Sequence, residues 1–230
     1  MFIPLHDSTP LKIIRFQAVT IAIILLEVAV YLMTGAFRTE SSLAATAALW
    51  GVVPGEVTGM MPPILGYDPV PEPFTLISYQ FLHGSWWHLI SNMLFLWVFA
   101  DNIEDAYGHA AFAFLYLMSG VVAALLYVLM APASDIPLVG ASGAVSGILG
   151  AYVVLFPHAR VWILLFLRIP LRIGAAWVLG GWFLLQIFSW WMDSGNPEAG
   201  VAWAAHVGGF MAGAALTFAL RRRLWMRLEP

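Results

Sequence analysis

Apolar runs dominate the chain and are separated by short polar breaks. They fall at roughly 13–34, 86–103, 109–130, 141–157, 170–192 and 201–220, each close to the ~20 residues a helix needs to cross a hydrocarbon core. The pattern predicts an all-α, polytopic membrane protein of six transmembrane helices. Between the first two runs, Gly35 to Gln80 is polar and interrupted by prolines at 54, 62, 63, 69, 71 and 73, so it does not span. Within it Leu43–Gly51, LAATAALWG, is apolar enough to lie in the membrane interface. No fixed-period repeat and no second domain is visible. Residues 1–230 read as one membrane domain ending in a short basic tail at 221–230.

Composition narrows the class. The chain is 61% hydrophobic and 10% charged, against about 25% charge in soluble domains, and its mean hydropathy is +0.85. The lipid bilayer is therefore an expected partner, and nucleic acid is not. The net charge of −3 matters less than where the charges sit. With cysteine absent, disulfides, thiol nucleophiles and Cys-ligated metals are excluded. Lys12 and Arg15 precede an apolar stretch from Phe16 to about Met33, and Ala45-Thr46-Ala47 imitates a signal-cleavage site. The run is too long for a signal core of about 7–15 residues and the site too distant, so the first helix reads as uncleaved.

Six spans put both termini on one side. With that side cytoplasmic, Arg38 alone of the ten basic residues lies outside, as the positive-inside rule prefers. A bacterial inner membrane suits so compact a chain. In this topology His88, Ser142 and His206 lie toward the outer ends of the second, fourth and sixth helices, with Asn92 one turn deeper. The fourth helix, starting at Ser142, is about 22 Å long at 1.5 Å per residue, against a core of about 30 Å. Its start is expected to be sunk below the outer surface. The incoming loop Ser134–Ala141 must then be buried in protein or line water.

Polar groups are costly in hydrocarbon, so these residues invite chemistry. A serine hydroxyl needs a base, and histidine is the usual one near neutral pH. No acid accompanies Ser142 or His206 on its helix, so a Ser142–His206 dyad is available and a Ser-His-Asp triad is not. Gly143 and Gly147 on one helix, with Gly209 and Gly213 on the other, form small-residue surfaces for close approach. His88 and Asn92, four apart, share a helix face. With the Ser142 backbone N–H they offer donors to a developing oxyanion.

Blander readings compete at each position. A glycine-rich VGASGAVSG is ordinarily a packing surface, a lone intramembrane histidine is ordinarily a satisfied core residue, and Glu27 reads more simply as paired inside the bundle than as part of a proton path. His83, His88 and His206 lack HEXXH and nearby carboxylates, which disfavours a metal. Ala144 breaks the G-x-S-x-G elbow of α/β hydrolases. What favours chemistry is the coincidence of serine, base and donors at one depth on three helices.

At these residues the sequence resembles the rhomboid family of intramembrane serine proteases. Gly140-Ala141-Ser142-Gly143 matches the family's G-x-S-G, and Ala205-His206-Val207-Gly208-Gly209 its A-H-x-G-G. His83 through Asn92, HGSWWHLISN, matches H-x-x-x-x-H-x-x-x-N at the second helix. The resemblance covers about Pro73 to Leu220, with the motifs in order on helices two, four and six.

The resemblance implies a six-helix rhomboid-like bundle with a membrane-dipping loop between helices one and two. It implies endoproteolysis of single-span membrane proteins near the outer end of their transmembrane helix, without a cofactor. Ser142 is the implied nucleophile and His206 the base and then the acid; Asn92, His88 and the Ser142 N–H hold the oxyanion. His83 supports the outer end of the site, Gly140 belongs to the serine motif, and Glu104 ties helices together. The fifth helix, with the 193–200 loop, is the implied mobile side. Some members carry an aromatic residue four after the serine, under the histidine. Here that position is Ser146, so the support comes from elsewhere or is absent, and a less rigid histidine is expected. A non-proteolytic relative that binds or transports a client is the alternative reading. The sequence leaves the oligomeric state open.

Overall fold

Helices form where the apolar runs lie, and their ends are set by local chemistry. The computed structural model describes residues 2–36, 38–64, 70–193 and 201–229. The described chain is mostly helical: α1 (Ala18–Thr34), α2 (Glu40–Trp50), α3 (Pro54–Val57), α4 (Glu72–Ser78), α5 (Trp86–Tyr107), α6 (His109–Met130), α7 (Ser142–Leu155), α8 (Ala175–Met192) and α9 (Val201–Leu228). Three helical stretches, His109–Met130, Ala175–Met192 and Trp203–Leu228, are long and apolar enough to cross a membrane, while α1 and α7 are apolar but shorter.

Several ends differ from the sequence expectation. The first helix begins at Ala18 rather than near 13, because the N–H groups of Lys12, Ile13 and Ile14 all donate to the Asp105 carboxylate. Glu104 then accepts from the Val19 and Thr20 N–H groups at 2.8 Å each, capping α1 from another helix. α5 runs past 103 to Tyr107 and stops at Gly108, whose φ of +78 suits glycine. α7 is shorter than 141–157, ending at Leu155. α9 continues beyond 220 to Leu228, taking most of the basic 221–230 segment into helix because Leu224 and Leu228 are buried.

The all-α expectation, with a helix from 170, is corrected by a three-stranded antiparallel sheet in the order β1 (Phe2–Asp7), β2 (Arg160–Leu165), β3 (Ile169–Gly174). Along β2, Val161 and Ile163 are buried while Arg160 and Trp162 are exposed, the period-two pattern of a strand. The β2–β3 turn uses Phe166 and Leu167 at φ 50° and 60°. Neither is the Gly, Asn or Asp that ordinarily marks such a turn, so nothing in the composition marks a hairpin ahead of the helix expected from 170. β3 passes directly into α8 at Ala175.

α7 is the central element, packed against α6, α9 and α5. Its Ile148, Leu149 and Tyr152 join Phe99, Phe112 and Tyr116 in the largest buried cluster. In lipid such contacts stabilise by close packing more than by expelling water. The loop into α7 is covered by protein: Val52 and Leu138 exchange backbone hydrogen bonds of 3.1 and 2.8 Å, and the Gly55 N–H donates to the Ser134 carbonyl at 2.9 Å. Irregular backbone inside a bilayer requires such internal partners.

Candidate active site

The site starts from a turn that only glycine makes without strain. Gly140 has φ +121, its N–H donates to the Tyr79 carbonyl at 2.9 Å, and a Cβ on it would strike the His88 ring. The chain thus passes against His88 and enters α7 at Ser142, whose helix start has no side-chain cap. First-turn N–H groups there lack intrahelical acceptors. His88 lies in the first turn of α5, its N–H held at 3.1 Å by the Ser85 hydroxyl that caps the helix. Asn92 follows one turn later.

Small residues then bring α9 onto α7. A Cβ on Gly209 would overlap the Gly143 carbonyl oxygen, and one on Gly213 the Gly147 carbonyl oxygen. Only hydrogen at these positions permits that approach. Its result is a hydrogen bond of 2.8 Å between Ser142 Oγ and His206 Nε2. The other ring nitrogen, Nδ1, lies 2.8 Å from Oε1 of Gln186 on α8. Trp182 and Trp203 flank the ring, with centroids 6.1 and 6.0 Å away. Support for the histidine therefore comes from α8 and α9. Ser146 turns its hydroxyl back to the Ser142 carbonyl at 2.6 Å, so the expectation of a loose ring gives way to one held at both nitrogens.

Ser142, His206, His88 and Asn92 share the lining of one cavity of about 600 Å³. Phe2, Leu165 and Ile173 of the sheet and Trp177 and Trp182 of α8 form part of its wall. His83 is not in that lining. It is buried behind Asn92, with Nε2 3.1 Å from Asn92 Nδ2 and 3.5 Å from Glu27 Oε2, while Glu27 Oε1 accepts from the Tyr116 hydroxyl at 2.5 Å. Glu27 is thus paired inside the bundle, next to the group that fixes Asn92. Glu104 stands apart from the cavity and joins α5 to α1 and to His109. The 194–200 part of the loop read as a mobile side lies outside the described residues.

Gln186 is the residue the sequence reading passed over. It is a buried amide in a helix whose only other polar side chain is Ser189, the signal by which the other polar residues were found. Its link to His206 becomes visible only when α8 and α9 are packed. A serine hydroxyl bonded to an imidazole beside an apolar cavity is the pairing that nucleophilic attack on a carbonyl calls for.

A model of the rhomboid domain matches residues 71–223. Rhomboid protein 1, mitochondrial, of Saccharomyces cerevisiae is 35% identical over 156 residues, 65% of this chain and 42% of that protein. Rhomboid-like protein 11, chloroplastic, of Arabidopsis thaliana is 37% identical over 82 residues, 36% of this chain and 29% of its own. The human presenilin-associated rhomboid-like protein, mitochondrial, is 28% identical over 155 residues, 65% of this chain and 38% of its own. The matches thus span less than half the length of these relatives. They also overturn the bacterial plasma membrane expected from compactness, since the relatives matched over 156 and 155 residues are mitochondrial proteins by name.

Proposed function

The chain belongs to the rhomboid family, and from that premise we propose that it is a serine endopeptidase cutting single-span membrane proteins within the bilayer. In this reading α1 and α5 to α9 are the six transmembrane helices, and residues 35–80 form the membrane-dipping loop. The observation that carries it is the 2.8 Å approach of Ser142 Oγ to His206 Nε2 at the start of a buried helix.

The steps follow from that geometry. His206 Nε2 takes the hydroxyl proton as Ser142 Oγ attacks the scissile carbonyl. The oxyanion that forms meets the Ser142 N–H, the Asn92 amide and His88, which line the same cavity. His206 then gives its proton to the leaving amine, and water, deprotonated by the same nitrogen, releases the acyl group from Ser142. An extended backbone is needed in the cavity, so the cut falls where small or helix-breaking residues loosen the substrate helix, at its end nearer Ser142. No cofactor enters these steps.

Labelling with a fluorophosphonate tests the proposal, because only an activated serine reacts. Ser142→Ala is expected to abolish both labelling and cutting of a reconstituted single-span substrate, and His206→Ala to lower both by about a thousandfold or more. Full cutting by Ser142→Ala would overturn the assignment. A wild-type protein that binds substrate helices but is neither labelled nor productive would favour a client-binding scaffold.

A further inference from the structure

We propose that Gln186 is a positioning residue that fixes the tautomer of His206 and ties the base to α8; this deepens, and rests on, the serine-protease reading above. For Nε2 to accept the Ser142 proton, the ring must carry its own proton on Nδ1. Nδ1 lies 2.8 Å from Gln186 Oε1, a carbonyl oxygen that accepts and cannot donate. The amide orientation has its own support, since Gln186 Nε2 faces the Trp182 carbonyl of the preceding turn at 3.5 Å. Turning the amide over would set Oε1 against that carbonyl, two acceptors face to face, and would direct an NH₂ at Nδ1. The ring would then hold its proton on Nε2 and donate to Ser142, leaving the hydroxyl without a base. One side-chain orientation therefore selects the competent tautomer.

Two further observations give the contact this role. Ser142, Gly143 and Ala144 bring no polar side chain to Nδ1, and α9 carries no acid from Trp203 to Leu228, so α8 supplies the acceptor. Gln186 is 4% exposed, so the contact is made inside the protein. Of the three apolar helices, α8 is also the least embedded, with 22% of its most apolar stretch buried against 39% and 50% for the other two. Displacing α8 outward lengthens the Nδ1 contact and frees the ring, so the base is correctly set only while α8 is seated.

The test separates acceptor chemistry from packing. Gln186→Met keeps length and volume but cannot accept from Nδ1–H; Gln186→Glu keeps the oxygen. Met is expected to lower kcat by about 10- to 100-fold with KM little changed, and Glu to lose only a small part of that. Ring ¹⁵N resonances of His206, identified by their loss in His206→Gln, are expected to show the Nδ1–H form in the wild type and a mixture or the Nε2–H form in Gln186→Met. Equal kcat in Met and wild type, or an Nε2–H ring in the resting wild type, would overturn the proposal. The resonance measurement needs no turnover. It decides the role of Gln186 even for a protein whose Ser142 resists fluorophosphonate, the separate result that would defeat the protease reading.

Discussion

At Gly209 and Gly213 a single added methyl group would overlap the carbonyl oxygens of Gly143 and Gly147. Backbone on both sides leaves nothing flexible to yield. Gly213→Ala is therefore expected to cost about 1–3 kcal/mol and lower the thermal midpoint in detergent micelles. Gly180→Ala, where the new Cβ meets nothing within 4 Å, is expected to be neutral or slightly stabilising; equal effects would refute the seam. At this scale the sequence was most legible. Gly143, Gly147, Gly209 and Gly213 announced the contact by their spacing, and Ser142 and His206 by being polar where polarity is costly. Gln186 obeyed the same rule. Its partner nitrogen, however, belongs to another helix, and no spacing within either helix encodes that pairing.

Between elements, carboxylates replace caps that α1 lacks in its own sequence. Glu104 accepts from the Val19 and Thr20 N–H groups, the Thr20 hydroxyl and His109, while Asp105 holds three N–H groups of the segment before the helix. Glu104→Gln keeps the shape but turns an NH₂ toward groups that need an acceptor. A loss of about 2–4 kcal/mol in unfolding free energy is expected, with early exchange of the Val19 and Thr20 amides; unchanged protection there would contradict the clasp. Hydropathy could not show where α1 begins, because Ile13, Ile14 and Phe16 extend the apolar run ahead of Ala18. The start is decided instead by acids some 85 residues away in sequence. The β2–β3 hairpin was hidden for a related reason. Period-two burial over a strand as short as Arg160–Leu165 is weak evidence, and Phe166 and Leu167 give the turn no compositional mark.

Across the whole molecule, the sheet joins the first residues to the wall of the cavity. Asp7 at the end of β1 is buried beside Tyr152, whose hydroxyl donates to it, with His6 and Asp101 the other titratable groups around it. Burial pushes the Asp7 carboxyl above its ordinary range, against the lowering by its hydrogen bonds. A group raised by folding favours the fold while protonated, so its contribution is complete below the unfolded pKa and is lost as pH rises through the folded one. Protection of the β1 amides, corrected for intrinsic exchange, is thus expected to fall with rising pH, and Asp7→Asn to flatten the profile; a slope unchanged in Asp7→Asn would dismiss Asp7 as its source. The same sheet has a mechanical consequence. β1 lies on β2, β2 on β3, and β3 continues into the helix that carries Gln186. A weight or tether fixed to the first residues therefore pulls, through two rows of hydrogen bonds, on α8 as well as on the segment leading into α1, whereas one fixed after Leu228 pulls on α9. The choice of which end of the chain bears a reporter is a choice of which side of the histidine is put under load.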